Sequence, residues 1–118
     1  MRRKQGTLIP IESTILEAGL DLRRRGVDVA YGFLLAKEIR DKAGARLLTA
    51  YGTLYKALDR LDKASYLESF WEDPQIAADD GRPRRRFYRV TSAGETALAK
   101  YQTDHASTPK LRPERGPA

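Results

Sequence analysis

TAYGTLYKALDRLDKA, residues 49–64, decides the fold. Leu54, Ala57, Leu58 and Leu61 recur at i, i+3, i+4 and i+7, the spacing of a single helical face, which predicts an amphipathic helix with a narrow apolar stripe. Thr49 is its expected N-cap, because its hydroxyl can accept from the otherwise unpaired first-turn amides. At about 100° per residue the opposite side carries Thr49, Gly52, Lys56, Asp59 and Lys63, with Thr53 and Arg60 flanking. A helix that buries only this stripe leaves its polar side to solvent or to a partner.

Working upstream, a second helix is predicted from Ala30 to Ala43, with Phe33, Leu34, Ala36 and Ile39 for the core. Gly44 ends it, and Arg46, Leu47 and Leu48 form a short link to Thr49. Before that, IPIESTILEAGLDLRRR (9–25) places Ile11, Ile15, Leu16, Leu20 and Leu22 close to helical spacing. Pro10 suits the first turn and Gly26 stops the helix, and Arg23, Arg24 and Arg25 complement the negative end of its dipole. Residues 1–8 read as a flexible basic arm.

Downstream, YLESFWE (66–72) and RRRFYRV (84–90) alternate as strands do. Leu67, Ser69 and Trp71 oppose Glu68, Phe70 and Glu72, while Tyr88 and Val90 oppose Phe87 and Arg89. Pro74, Asp79, Asp80, Gly81 and Pro83 make the connection a long hairpin loop. Thr91 or Ser92 caps a last helix, with Ser92 and Glu95 in capping-box spacing. That helix carries Ala93, Ala97, Leu98 and Tyr101 and fades by about Ser107, a length of about 21 Å for roughly fourteen residues. The tail, 107–118, is rich in proline and reads as disordered.

Composition narrows the function. Five arginines (Arg82, Arg84, Arg85, Arg86 and Arg89) crowd into eight residues and account for all but one of the net charge of +6. They interleave with strand residues, so they belong to a folded hairpin and not to a basic tail. The 118 residues contain no cysteine, which excludes disulfides and thiolate chemistry. No apolar run approaches the length of a membrane span, so a cytoplasmic chain without membrane contact is expected. No nucleophile–base pair, metal-ligand spacing or phosphate-cradling glycine loop is present, and the prediction is neither an enzyme nor a cofactor or metal protein. His105 has no spaced partner and is expected at the surface, and Asp79 and Asp80 read as a charge-balanced turn. Trp71 is expected in hairpin packing, and Tyr101 at an interface between chains.

The element order, three helices then strand, loop, strand and helix, is that of a winged helix-turn-helix, an α+β fold that is mainly helical. DNA binding needs an element that fits the major groove and cations beside it that neutralise phosphates. The 49–64 helix and the arginine hairpin supply both. Three stretches, YGFLLAKEI (31–39), YGTLYKALDRLDKASYLES (51–69) and GRPRRRFYRVTSAGETAL (81–98), resemble the signature motifs of PadR-family transcriptional regulators over roughly residues 9–100, and the branch with a short C-terminal domain in particular. Lys56 replaces the usual proline and Ser65 the usual glycine.

The resemblance implies a homodimeric repressor on double-stranded DNA that responds to a small aromatic or amphipathic effector. It implies a winged-helix domain over 9–91, with a dimerisation helix over 92–106. It places Thr49, Tyr51, Thr53 and Tyr55 at the DNA-facing start of the recognition helix, Lys56 and Arg60 near phosphates, and Arg82, Arg84 and Arg86 on the wing. The first and last helices form the dimer contact, through Ile11, Ile15, Leu98 and Tyr101. The competing reading is a winged-helix module that binds protein through the free face of its third helix. Five clustered cations are more than such a docking surface needs.

Overall fold

The computed structural model describes residues 7–43 and 51–110. Its elements are α1 (Pro10–Arg24), β1 (Ala30–Tyr31), α2 (Gly32–Ala43), α3 (Tyr51–Lys63), β2 (Leu67–Trp71), α4 (Pro74–Asp79), β3 (Arg86–Val90) and α5 (Ser92–Lys110). The strands form an antiparallel sheet in the order β1-β3-β2. The fold is therefore mainly helical, as the pattern predicts, with a small sheet of three strands where two were expected.

The stripe on α3 anchors the core. Leu54, Ala57 and Leu58 are fully buried and Leu61 nearly so. They pack with Ile15, Leu16 and Ala18 of α1 and with Leu35, Ala36 and Ile39 of α2. The register pairs Leu67 with Val90 and Ser69 with Tyr88, while Phe70 meets Phe87 on the other face. This is the alternation visible in the sequence.

Several elements differ from expectation for local reasons. Ala30 and Tyr31 do not begin the second helix. They form an edge strand opposite Tyr88 and Phe87, and α2 starts at Gly32. Leu35 takes the core position, and Phe33, expected inside, is 54% exposed. The long hairpin loop contains α4, whose start is set by Asp73: its side chain accepts from the Gln75 amide at 2.9 Å, and Pro74 occupies the first turn. Leu8, assigned to the arm, is buried in the core. α5 continues to Lys110, beyond the predicted fading point. The expected cap Thr49 and the link 44–48 lie outside the described residues.

The arginines ending α1 do more than complement a dipole. Arg23 donates to Glu95 of α5 at 2.7 Å and to the Val90 carbonyl at 2.6 Å, while Arg25 pairs with Glu38 of α2 at 2.6 Å. They lash α1 to its neighbours. Ser65, which closes α3, adopts φ +67°, the left-handed conformation that glycine takes without penalty. Ser65→Gly is expected to raise stability by about 0.5–1 kcal/mol, because relief of side-chain strain outweighs the added freedom of the unfolded chain. A urea midpoint compared with wild type checks it.

Candidate nucleic-acid interface

The exposed side of α3 carries Gly52, Thr53, Tyr55, Lys56, Asp59, Arg60 and Lys63. Thr53 and Lys56 are open to solvent, as a groove-reading helix requires. Tyr51 opens the helix, and its side chain lies outside those described. Tyr55 is 46% exposed and leans on the start of α2. Gly32 permits this approach, since a Cβ there would fall 2.2 Å from the Tyr55 hydroxyl.

Arg60 is not free to serve as a simple phosphate contact. Its Nε donates at 2.8 Å to Glu12 of α1, a carboxylate only 2% exposed. Glu12 also accepts from the Ile9 amide at 3.1 Å, closing the N-terminus of α1. Arg60 therefore fastens α3 to α1.

The wing arginines separate into two groups. Arg82, expected at DNA, forms a two-pronged pair with Glu72 at 2.7 and 2.9 Å and reaches Asp80 at 3.2 Å. Glu72 further accepts from the Arg85 amide at 3.1 Å, so this pair staples the wing loop shut. Arg86 donates to Ser69 at 2.7 Å and lies 3.8 Å from Asp62, tying the wing to α3. Arg89 pairs with Asp28 and Glu68, each at 3.2 Å. Arg84 and Arg85 instead rest on aromatic rings. Arg84 lies 5.2 Å from the centre of Trp71, which Arg86 also covers at 5.0 Å, and Arg85 lies 4.1 Å from Tyr31. Trp71 thus takes part in hairpin packing while remaining 53% exposed.

Among the residues whose side chains are described, Arg40, Lys56, Arg84 and Arg85 are the cations without a carboxylate partner. All but Arg40 sit on α3 or the wing. Arg84, Arg85 and Arg86 meet Tyr31, Phe33 and Tyr55 around a cleft of about 440 Å³. The sequence reading missed Arg85, Tyr31 and Phe33. The signal for Arg85 was present, since it lies in the same arginine run as Arg84 and Arg86.

The staple has an acid signature. The Arg82 guanidinium holds the Glu72 carboxyl at about 2, against an ordinary value of 4.5. A carboxylate depressed on folding contributes stability above its unfolded value, and that contribution fades as pH falls from about 4.5 to about 2. Glu72→Gln is therefore expected to have a lower urea midpoint than wild type at neutral pH. The difference should shrink below pH 4.5 and close near pH 2.

The residues expected at a dimer contact are placed differently. Ile15 is fully buried, and Ile11 and Leu98 are 8% and 4% exposed, because α1 and α5 of one chain pack on each other and on the shared core. Only Tyr101 remains half-exposed, stacked on His105 at 3.9 Å. Beside it a groove of about 570 Å³ runs along α5, lined by Leu8, Tyr66, Ala93, Ala97 and Tyr101 among others. No helix among the described residues is long and apolar enough to cross a membrane.

Comparison with known proteins agrees with this geometry. A transcriptional regulator from Clostridium thermocellum has a similar structure, with a TM-score of 0.66 and 25% identity, over 86% of this chain and 87% of that one. A PadR family transcription regulator from hypervirulent Clostridium difficile shares the fold at a TM-score of 0.62 and 24% identity, over 84% and 92% of the two chains. An uncharacterized protein of Lysinibacillus sphaericus is 27% identical over 81 residues, 69% of this chain and 70% of its own length. The model of the PadR-like family of transcriptional regulators matches residues 27–100, from just before β1 into α5, and the chain belongs to that family of regulators, which are not enzymes.

Proposed function

We propose that the chain is a cytoplasmic transcriptional repressor that binds an inverted-repeat operator in double-stranded DNA as a two-fold homodimer. The observation that carries this reading is the distribution of unpaired charge. Among the residues whose side chains are described, most cations are held by carboxylates, while Lys56 on the exposed face of α3 and Arg84 and Arg85 on the wing, with Arg40 on α2, are not. Cations held without counter-charges are ready for a polyanion, and their phosphate contacts would be sensitive to salt. Thr53, Tyr55 and Lys56 would face base edges or the nearest backbone, and the sequence resemblance extends the proposed contacts to Thr49 and Tyr51.

The groove along α5 is where a second copy would dock. Two recognition helices would then address half-sites about one helical turn apart. A small aromatic or amphipathic effector that binds one dimer arrangement better than the other would change the spacing of those helices and release the operator.

Binding to genomic duplex fragments across a salt series tests the reading. The log–log slope should be steep, about −0.9 for each phosphate neutralised, and footprinting should give paired protected half-sites. A flat slope, or no bound fragment at low salt, would instead make the free face of α3 a surface for binding protein.

A further inference from the structure

The cleft between the start of α2, α3 and the wing is lined by the rings of Tyr31, Phe33 and Tyr55 and by Arg84, Arg85 and Arg86. Among the described residues no carboxylate lines it. Its volume of about 440 Å³ lies within the about 300–1,000 Å³ of clefts that hold small molecules. Its ring surface is left in water: Phe33 is 54% exposed and Tyr55 46%, while α2 turns Leu35, Ala36 and Ile39 into the core. Gly32 lets Tyr55 lean on the start of α2, so this surface is formed before any ligand arrives.

The charge is also unclaimed. Arg86 is held by Ser69 and lies near Asp62, but Arg84 and Arg85 rest only on the rings of Trp71 and Tyr31, at 5.2 and 4.1 Å. Such exposed contacts are weaker than the charge-assisted hydrogen bonds that a phosphate accepts. The cleft therefore suits a ligand that joins a planar ring to two anionic groups. Duplex DNA meets half of this demand. It presents phosphates, but its bases stay stacked on one another, and exposing a base face costs unstacking energy. A free nucleotide has both a bare base face and phosphates.

We infer that the cleft binds a free nucleoside diphosphate, which competes with DNA for Arg84 and Arg85. The base stacks on Phe33 and Tyr55, and the two phosphates draw the guanidiniums from their rings. The competition rests on the DNA-binding reading given above; occupancy of the cleft does not. A filled cleft withdraws the two open cations of the wing, so the duplex is released without any change in the spacing of two recognition helices.

Equilibrium dialysis of the DNA-free protein against adenosine and guanosine 5′-diphosphates, without magnesium, tests the site. Adenosine, guanosine and inorganic pyrophosphate should each bind at least about tenfold more weakly than the diphosphates, since each supplies half of the contacts. Phe33→Ser and Arg85→Gln change residues outside the core, and thermal melting checks that both variants fold. Each should weaken diphosphate binding about tenfold. With a genomic duplex present, the diphosphate should raise the apparent Kd of wild type for DNA in proportion to its concentration, and excess duplex should reverse the effect.

Pyrophosphate bound as tightly as the diphosphates would reduce the cleft to a patch of charge and overturn the inference. So would a wild type that binds no diphosphate, or binding left unchanged in either variant. A diphosphate that binds without displacing the duplex would remove the competition and equally overturn it. A steep salt dependence of duplex binding with no diphosphate bound would sink only this inference. A wild type that holds the diphosphates but no duplex at low salt would sink the DNA reading and leave the ligand site standing.

Discussion

Replacing Gly94 with alanine is expected to lower the melting temperature by about 10 °C, a loss of about 2 kcal/mol. Gly94 lies in the first turn of α5, pressed against the chain entering β2. A Cβ there would fall 2.2 Å from the Tyr66 carbonyl oxygen, with Val90 Cγ1 at 3.1 Å on the other side. The carbonyl cannot simply retreat, because it accepts from the Thr91 amide at 3.2 Å. Thr91 in turn caps α5 by accepting from the Gly94 amide at 3.0 Å, and its hydroxyl donates to the Ser65 carbonyl at 2.7 Å. The junction between the end of α3, the start of β2 and the start of α5 is thus one connected knot of backbone.

Helix propensity pulls the other way, since alanine is favoured over glycine by about 1 kcal/mol inside a helix. Overpacking against fixed backbone costs about 1–3 kcal/mol or more, so the clash should prevail. The sign is therefore decisive. A Gly94→Ala protein that melts above wild type would show that the knot yields and that the glycine is not required by contact.

The same junction shows what the sequence could reveal. Ser65 was identifiable as a departure from glycine, and the structure gives it the left-handed backbone that glycine would favour there. The α3 helix was legible because four apolar residues at a 3.6-residue period leave no other regular solution. β1 was not, because two residues are too few to show an alternation, and only pairing with β3 makes them a strand. In the wing loop, Asp73 and Pro74 are helix-start residues as well as turn residues. Asp79, Asp80, Gly81 and Pro83, which follow, pointed to a turn, and a six-residue helix, Pro74–Asp79, runs up to them.

The candidate site was legible in composition but not in pairing. Which segment carries the charge can be read directly from the arginine run. Which arginines are available depends on carboxylates that the chain brings from elsewhere. Glu72 claims Arg82 across ten residues, and Glu12 claims Arg60 across forty-eight. No local pattern distinguishes Arg82 from Arg85, yet Arg82 is paired with Glu72 while Arg85 lies over the Tyr31 ring. The residues expected at a dimer contact show a related limit of local pattern. An apolar face on a terminal helix states that it will be covered, but not by which chain, and α1 and α5 cover each other.

The Arg60 pair leads to the second large effect. Arg60→Ala is expected to destabilise the fold by about 2 kcal/mol, more than removal of an ordinary surface ion pair at about 0–1 kcal/mol. The reason is the asymmetry of the pair: Arg60 is 41% exposed, while Glu12 is buried at 2%. Removing the cation takes from a buried carboxylate the guanidinium that donates to it. Glu12 keeps its bond from the Ile9 amide, which holds the loss below the about 3–5 kcal/mol of a fully stranded buried charge. Glu12→Gln combined with Arg60→Ala should therefore be more stable than Arg60→Ala alone, since the double variant buries no charge. Urea midpoints of the four proteins in the cycle measure the coupling. A double variant weaker than both singles would mean that Arg60 acts through packing of its stem and not through Glu12. DNA binding supplies an independent check. Because Glu12 already balances its charge, Arg60→Ala should leave the slope of affinity against salt unchanged while lowering affinity through misplacement of α3. A slope smaller by about one would return Arg60 to the phosphate contacts that its position on the exposed face first suggested.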